Sequence, residues 1–285
     1  MILIKKIFCV LNLKALKLKN NLQYIFHKYF LYFSTLKIKV KLQNKKNIQP
    51  KVSKKIVIFG SSASINQITE QEKALLNECK IIFMNKNLIF WKKINIWPDY
   101  FFLADTPIKS KAAKQIFEDT IKTLNSTQND APIFLIEEFY KFGIPKNLKK
   151  ICFQYNKSSN LVWAQNLNET MFGFHGSLTT LLNLTTVLNF GKRIMLVGFD
   201  MNDRKYFFDK DSNFNKYKDD SFTFDGNFHP NAEKINGKNI FTHWNLINKN
   251  IRNNNISLYC ESKKSLLVKK GLVKHLSIND FYRLK

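Results

Sequence analysis

Cysteine, proline and glycine are all scarce in this chain of 285 residues, with four, six and nine copies respectively. The cysteines (Cys9, Cys79, Cys152 and Cys260) lie far apart, and no CxxC pair accompanies a histidine cluster. This spacing disfavours a zinc site and a disulfide framework, so we expect reduced, buried thiols in a reducing compartment. The apolar fraction of 45% can build a full core, which excludes a disordered chain.

Acidic residues are absent from the start of the chain, where the first one is Glu70. The first 55 residues contain 14 lysines, which leaves +11 of the net charge of +25 for the other 230 residues. A charge asymmetry of this kind is typical of a surface-binding arm. We therefore divide the chain into a basic N-terminal extension, residues 1–53, and a folded body, residues 54–285.

Long apolar runs are also missing, because no window reaches the roughly 18 uncharged apolar residues of a membrane-spanning helix. The extension instead carries the aromatic-rich stretch LQYIFHKYFLYF, Leu22 to Phe33, edged by lysines. Basic residues with aromatic anchors favour a helix lying on an anionic membrane surface, at the inner face of the cytoplasmic membrane. Binding of nucleic acid by the arm, and an unstructured extension, remain alternatives.

Seven short apolar runs recur along the body, and turn residues follow each of them. The runs are Ile56–Gly60, Lys80–Asn85, Asp99–Asp105, Pro132–Glu138, Lys150–Tyr155, Arg193–Asp200 and Ile256–Glu261. Continuous apolar runs of this length are typical of strands that are covered on both faces. Helical stretches lie between several runs, the clearest being Gly176 to Gly191, with Ser177 as its expected cap and Gly191 as its end. We therefore predict an α/β, Rossmann-like fold with a mainly parallel sheet flanked by helices.

Small and hydroxyl-bearing residues follow the first run, in KKIVIFGSSASINQI. Ligands of Rossmann-like folds bind beyond the carboxyl ends of the strands, where small residues let backbone N–H groups approach a phosphate. The turn matches neither GxGxxG nor a Walker loop, so an ordinary tight turn is the alternative. The candidate nucleotide-binding residues are Gly60, Ser61, Ser62, Ser64, Asn85, Asp105, Ser177 and Asp200.

Residues 201–238 are polar, charged and rich in aromatics, which predicts a lid-like segment over a site. Within it, Asp209-Lys210-Asp211 has the spacing of a metal-binding DxD motif. We interpret this common tripeptide as a solvated loop, and we predict no metal and no cofactor.

Several of these motifs together resemble the bacterial lipooligosaccharide sialyltransferases of glycosyltransferase family 42, over roughly residues 54–267. The matching stretches are the Gly60–Ser64 turn, FMN ending at Asn85, NFGKRIMLVGFDMN at Asn189–Asn202, YFFD at Tyr206–Asp209 and SLYCESKKSLL at Ser257–Leu267. The stretch HGSLTTLLNLTTVLNFGKRIMLVGFD is also similar to the domain of unknown function 115 group. That second resemblance implies a pyrophosphokinase-like protein or a flagellin-glycosylation accessory protein.

The sialyltransferase resemblance implies a metal-independent, inverting transfer of sialic acid, or a related acidic sugar, from a CMP-activated donor to a cell-surface glycan. It implies a histidine base shortly before the late helix, but the ungapped position falls near Lys238. We assign the base to His229 rather than to His243, which lies on the predicted late helix Asn239–Ile251, because a loop absorbs extra residues more readily than a helix rotates a side chain to a new face. Tyr206 is expected to donate a hydrogen bond to the leaving phosphate. A basic binding protein without catalysis and self-association of the chain remain open.

Overall fold

One parallel sheet forms the framework of the computed structural model. The structure describes residues 54–103, 111–127, 129–138, 144–155, 160–203, 205–212, 214–217, 228–234 and 236–284. Within these ranges the sheet has nine strands in the order β6-β5-β4-β3-β2-β1-β7-β8-β9. They are β1 (Lys55–Phe59), β2 (Lys80–Met84), β3 (Tyr100–Leu103), β4 (Ile133–Glu137), β5 (Lys150–Tyr155), β6 (Thr170–Met171), β7 (Arg193–Val197), β8 (Ser257–Cys260) and β9 (Lys274–His275).

The strand order reverses beside β1. From β1 the chain builds the sheet outwards through β2 to β6, and it then returns to place β7 on the other side of β1. The two strands pair in parallel, with Ile58 opposite Leu196 and Phe59 opposite Val197. In open α/β sheets such a reversal opens a crevice at the carboxyl ends of the two strands. The fold therefore places its natural binding crevice after Phe59 and Val197.

Both faces of the sheet are buried, which explains why the strands are continuous apolar runs. Ile56 and Ile58 of β1 point into one core, while Val57 and Phe59 point into the other. All four side chains are fully buried. The predicted Rossmann-like α/β fold and all seven predicted strands are thereby confirmed.

Helices cover the two faces of the sheet. They are α1 (Glu70–Asn77), α2 (Trp91–Ile94), α3 (Lys111–Ser126), α4 (Ser177–Val187), α5 (Trp244–Asn253), α6 (Leu266–Lys269) and α7 (Ile278–Arg283). Apolar side chains of α4, α5 and α6 enter one core, and those of α1, α2, α3 and α7 enter the other. Each fully buried leucine, such as Leu181 or Leu182 of α4, contributes about 1.5–3 kcal/mol.

The predicted caps of α4 are wrong at both ends. Gly176 is the N-cap, with φ of 157°, and Ser177 is the first helical residue. At the other end Asn189 takes the left-handed conformation after the helix, with φ of 47°. Gly191 lies further on, where a Cβ would lie 2.5 Å from the Lys54 carbonyl oxygen. Its small size is therefore needed for packing against β1 and not for ending the helix.

The predicted position of His243 on a helix is also corrected. The structure has a turn at residues 240–243 and begins α5 at Trp244, so that His243 is the N-cap. The His243 ring packs against Phe174, with ring centroids 4.4 Å apart. Fully buried Trp244 anchors the helix in the core.

The first part of the predicted lid segment is packed into the core. Phe208 is fully buried and stacks on Phe90, with ring centroids 4.2 Å apart. Tyr217 is 1% exposed, and its hydroxyl donates a 2.7 Å hydrogen bond to Asp119 of α3. Phe208 and Tyr217 are therefore held in place by core packing. A lid function of residues 201–238 stays a prediction.

The basic extension, residues 1–53, and Asp105 lie outside the described residues. Among the helices that the structure does describe, none has both the length and the apolar character needed to cross a membrane.

Candidate functional site

Two turns meet at the strand reversal and pack directly on each other. The Gly60 N–H donates to the Val197 carbonyl at 2.7 Å, and the Ser62 N–H donates to the Gly198 carbonyl at 3.0 Å. A Cβ on residue 60 would lie 2.3 Å from the Gly198 carbonyl oxygen, and Gly198 itself has a φ of +72°. Gly60 is therefore required by the close approach of two backbones, and Gly198 by its left-handed backbone, whether or not a ligand binds there.

A cavity of about 240 Å³ opens beside these turns. Its lining includes seven of the residues predicted from the sequence: Gly60, Ser61, Ser62, Asn85, Ser177, Tyr206 and His229. It also includes residues outside the list of predicted candidates: Met84, Lys86, Gly176, Leu178, Gly198, Phe199, Met201 and Asn231. Five separate parts of the chain thus converge on one crevice, at the place where the sheet topology expects a ligand.

Tyr206 is held over the first turn by backbone pairing. Ser62 and Tyr206 form an isolated antiparallel bridge, and the Phe207 N–H donates to the Ser61 carbonyl at 3.1 Å. The Tyr206 N–H donates to Asp209 at 2.9 Å, and its ring stacks on Phe208 at 5.3 Å. These contacts fix the Tyr206 ring on the cavity wall.

His229 lies across the cavity wall from Tyr206, with ring centroids 6.1 Å apart. It is the N-cap of the short 3₁₀ helix Pro230–Ala232, and its Nδ1 accepts the Asn231 N–H at 3.3 Å. A neutral imidazole that accepts at Nδ1 carries its proton on Nε2. His243, the competing histidine, does not line this cavity.

Ser64 and Asp200 lie behind the cavity wall and are absent from its lining. The Ser64 N–H donates to Asp200 Oδ2 at 3.2 Å, and the Ser62 hydroxyl accepts the Asp200 N–H at 3.0 Å. Both side chains are buried, with Asp200 6% exposed. Their position suits them to joining the two turns, and a direct contact of either with a nucleotide stays a prediction.

Sequence reasoning also missed Glu261, which follows β8 and supports both turns from behind. One carboxylate oxygen, Oε1, accepts the Ser64 hydroxyl at 3.1 Å and the Gly198 N–H at 3.2 Å. Burial raises the pKa of Glu261 to about 7, and the nearby Asp200 adds to this effect, while the two hydrogen bonds oppose it. Glu261 also borders a second cavity, of about 270 Å³, together with Ser64 and Lys264. The fold therefore keeps a carboxyl group that titrates near neutral pH directly beneath the two turns.

The electrostatics of the main cavity favour an anion. Its described lining contains one lysine, Lys86, and no aspartate or glutamate. The first turn of α4 also faces it, through Gly176, Ser177 and Leu178. The N-terminus of a helix carries a partial positive charge and N–H groups that favour a negatively charged ligand.

The carboxylates of the DxD-like tripeptide do not line the cavity. Asp209 accepts the Tyr206 N–H, and Asp211 lies 3.6 Å from the Lys93 ammonium. Within the described residues there is no group of three or more histidine, cysteine or acidic side chains that could hold a metal ion. Metal independence stays a prediction, because these contacts show only which groups Asp209 and Asp211 interact with.

Three of the seven non-glycine residues with positive φ in the described chain lie at or beside this crevice. Asn85 and Met201, both on the cavity wall, have φ values of 50° and 58°, and His175, which precedes Gly176, has a φ of 47°. A side chain in this left-handed region costs on the order of 1 kcal/mol or more, and such residues cluster at functional sites. Their position indicates that the shape of this cavity is specified by the surrounding fold.

Comparison with solved structures supports the fold. The chain is similar to the Maf glycosyltransferase of Magnetospirillum magneticum AMB-1, with a TM-score of 0.50 and 13% sequence identity over 90% of this chain and 39% of that one. It is also similar to a variant of the sialyltransferase CST-II in complex with CMP, with a TM-score of 0.36 and 14% identity over 80% of this chain and 88% of that one. The chain spans about two fifths of the length of the Maf protein. No family model and no curated protein matches it. At these identities the likeness to the Maf enzyme shows a shared α/β fold.

Proposed function

We propose that the chain is a sialyltransferase-like glycosyltransferase. It transfers sialic acid, or a related acidic sugar, from a CMP-activated donor to a cell-surface glycan, with inversion and without a metal ion. One observation carries this proposal: a cavity at the strand reversal is lined by small turns, a helix N-terminus, one lysine, Tyr206 and His229. The choice of CMP rests on the resemblance of the turn and strand-end motifs to family 42. The shared fold with a glycosyltransferase agrees with the general reaction class.

The reaction exchanges one bond to the anomeric carbon for another. The oxygen of an acceptor hydroxyl forms the new glycosidic bond while its proton passes to His229, which acts as general base. The bond from the anomeric carbon to the phosphate oxygen breaks, and CMP leaves with the bonding electron pair. The Tyr206 hydroxyl donates a hydrogen bond to the phosphate as its negative charge grows.

This role sets a condition on the His229 ring. The 3.3 Å contact from the Asn231 N–H occupies Nδ1, so the proton of the neutral ring is on Nε2. For Nε2 to accept the acceptor proton, the ring must change tautomer, and the long contact to Asn231 must be released when the substrates bind. Catalytic hydrogen bonds commonly reach their working geometry only in the substrate complex.

The alternative of a pyrophosphokinase-like enzyme fits the cavity less well. Transfer of a diphosphate requires carboxylates placed to hold magnesium. Neither an aspartate nor a glutamate lies on the described lining, whereas a sugar donor with a single phosphate needs less charge neutralisation.

The basic extension gives the proposal a cellular setting. The lysines and the aromatic stretch of residues 1–53 attach the enzyme peripherally to the inner face of the cytoplasmic membrane. This location suits an enzyme that extends lipid-linked glycans, and a homo-oligomer is compatible with it.

Nucleotide binding to the full-length chain tests the proposal. Calorimetry should detect CMP in preference to UDP and GMP without added metal. A Ser177→Phe variant should lose CMP binding, because its ring would fill the cavity at the start of α4. The matched control is Ser212→Phe, at an exposed position away from the lining. Equal binding of all three nucleotides, or full CMP binding by the Ser177→Phe variant, would contradict the proposal.

A further inference from the structure

Lys86 is a buried lysine on the wall of the main cavity. It is 9% exposed, and it lies in the 3₁₀ helix Asn85–Leu88, directly after the carboxyl end of β2. Its ammonium nitrogen lies 5.7 Å from the centroid of the Tyr206 ring. Lysine is among the residues least often found buried, because removing an ammonium group from water is costly. Because Lys86 also lines the cavity, it places a positive charge beside any ligand that enters.

The backbone around Lys86 is held against the Gly60–Ser64 turn that follows β1. The neighbouring Asn87 is fully buried, and its amide donates to the carbonyls of Phe59 and Gly60 at 2.8 and 2.6 Å. Leu88 is also fully buried and anchors the same helix in the core. The two turns that follow β1 and β2 are thus tied together, which holds Lys86 in register with Gly60.

We propose that Lys86 binds the phosphate group of the donor and stabilises the negative charge that develops on it as the nucleotide leaves. This inference rests on the proposed function and assigns to Lys86 the charge neutralisation that a metal ion provides in diphosphate-sugar transferases. The phosphate of a CMP-sugar is a diester with one negative charge, whereas released CMP is a monoester with nearly two. An ammonium group at this position therefore binds the leaving group more strongly as the reaction proceeds, which is the condition for a contribution to rate.

Binding measurements with CMP and with cytidine separate a phosphate contact of Lys86 from a general effect of Lys86 on the cavity. Calorimetry on the full-length chain would compare CMP with cytidine, which lacks the phosphate, for the wild type and for Lys86→Met, Lys86→Arg and Lys92→Met. Lys86→Met keeps the length of the side chain and removes its charge, and Lys92, on α2, is an exposed lysine away from the cavity. Thermal unfolding of each variant reports whether the fold is intact.

We expect Lys86→Met to weaken CMP binding on the order of 10- to 100-fold, the range of a hydrogen bond to a charged group. Cytidine binding should change by no more than about twofold, since no phosphate contact is lost. Lys86→Arg should keep most of the CMP affinity, and Lys92→Met should keep all of it. If Lys86→Met does not fold, acetylation of Lys86 in the wild type is measured by mass spectrometry, and CMP but not cytidine should protect it.

Three results would overturn the assignment of Lys86. These are full CMP affinity in Lys86→Met, an equal loss of CMP and cytidine binding, and equal protection of Lys86 by both ligands. In each of these cases the wild type still binds CMP, so the proposed function stands. A wild-type chain that binds no CMP contradicts the proposed function itself, and the role of Lys86 with it.

Discussion

Glu261 gives a stability prediction whose sign and size follow from the structure. Its carboxylate accepts hydrogen bonds from Ser64 and Gly198, and burial raises its pKa to about 7. In the unfolded chain the pKa returns to its ordinary value of 4.5. Because the folded state holds this proton more tightly, protonation stabilises the fold. The contribution is complete below pH 4.5 and is lost as the pH rises through about 7.

The difference between the two pKa values sets the magnitude. One pKa unit corresponds to 1.36 kcal/mol, so full ionisation of Glu261 costs the fold roughly 3 kcal/mol. That is a large share of the 5–15 kcal/mol that stabilises a typical domain. Glu261→Gln removes the ionisation but keeps an oxygen that can accept from Ser64 and Gly198. Its unfolding free energy should therefore exceed that of the wild type at high pH.

Urea unfolding followed by tryptophan fluorescence measures this difference, because fully buried Trp244 reports on the core. The variant-minus-wild-type difference in unfolding free energy should be close to its smallest value at pH 4.5. It should grow by roughly 3 kcal/mol towards pH 8. Glu78→Gln, at an exposed glutamate, is the matched control and should show no such growth. A difference that stays flat across this pH range would refute the reasoning about Glu261.

Three further predictions concern other parts of the chain. Asp119→Asn should lower the unfolding free energy by about 1.5–3 kcal/mol in urea unfolding, because Asp119 is buried and accepts from Tyr217 and Lys216. Burial opposes its ionisation, but those hydrogen bonds hold its pKa below the ordinary value of 3.8, so the loss should be undiminished down to that pH. Tyr206→Phe should reduce kcat on the order of 10²-fold and also weaken CMP binding in calorimetry, because the hydroxyl that donates to the phosphate is lost, and an unaltered kcat would remove Tyr206 from the mechanism. Finally, the full chain should bind vesicles that contain anionic lipid and float with them, since each basic residue at such a surface contributes about 1 kcal/mol. A chain that starts at Lys54 should not float. Equal flotation of the two chains would contradict a membrane role for residues 1–53.

Much of the fold could be predicted because burial on both faces forces each long strand to be an apolar run. The edge strands β6 and β9 were not predicted, because each has only two residues and the sequence Lys274–His275 carries no apolar signal. The cap of α4 was missed because Gly176 adopts a φ of 157° there, a feature of the backbone that the sequence does not reveal.

From the residue pattern, part of the candidate site could be predicted because it follows from the ends of strands, whereas Tyr206 and His229 came from the family resemblance. Gly60 and Asn85 come directly after β1 and β2, so the parallel sheet alone brings them to one edge. Asn231 belongs to the short 3₁₀ helix Pro230–Ala232, whose position depends on tertiary packing, and nothing in the sequence ties it to the cavity. Lys86 could have been predicted from the sequence, because it follows Asn85 directly at the end of β2. Ser64 and Asp200 lie behind the wall because they hydrogen-bond to each other across the two turns.

Turnover of a CMP-sugar by the full-length chain tests the central claim most directly. The measurement is CMP release from CMP-sialic acid, with water and a fluorescent lactoside as acceptors, for the wild type, His229→Ala and His243→Ala. We predict that His229→Ala still binds CMP but loses turnover by roughly 10²-fold or more, because the base on the cavity wall is gone. His243→Ala should lose less, since that ring packs against Phe174 outside the cavity lining. The reverse order would contradict the assignment of His229, full activity in both variants would remove histidine from the mechanism, and no CMP release by the wild type would contradict the proposed function.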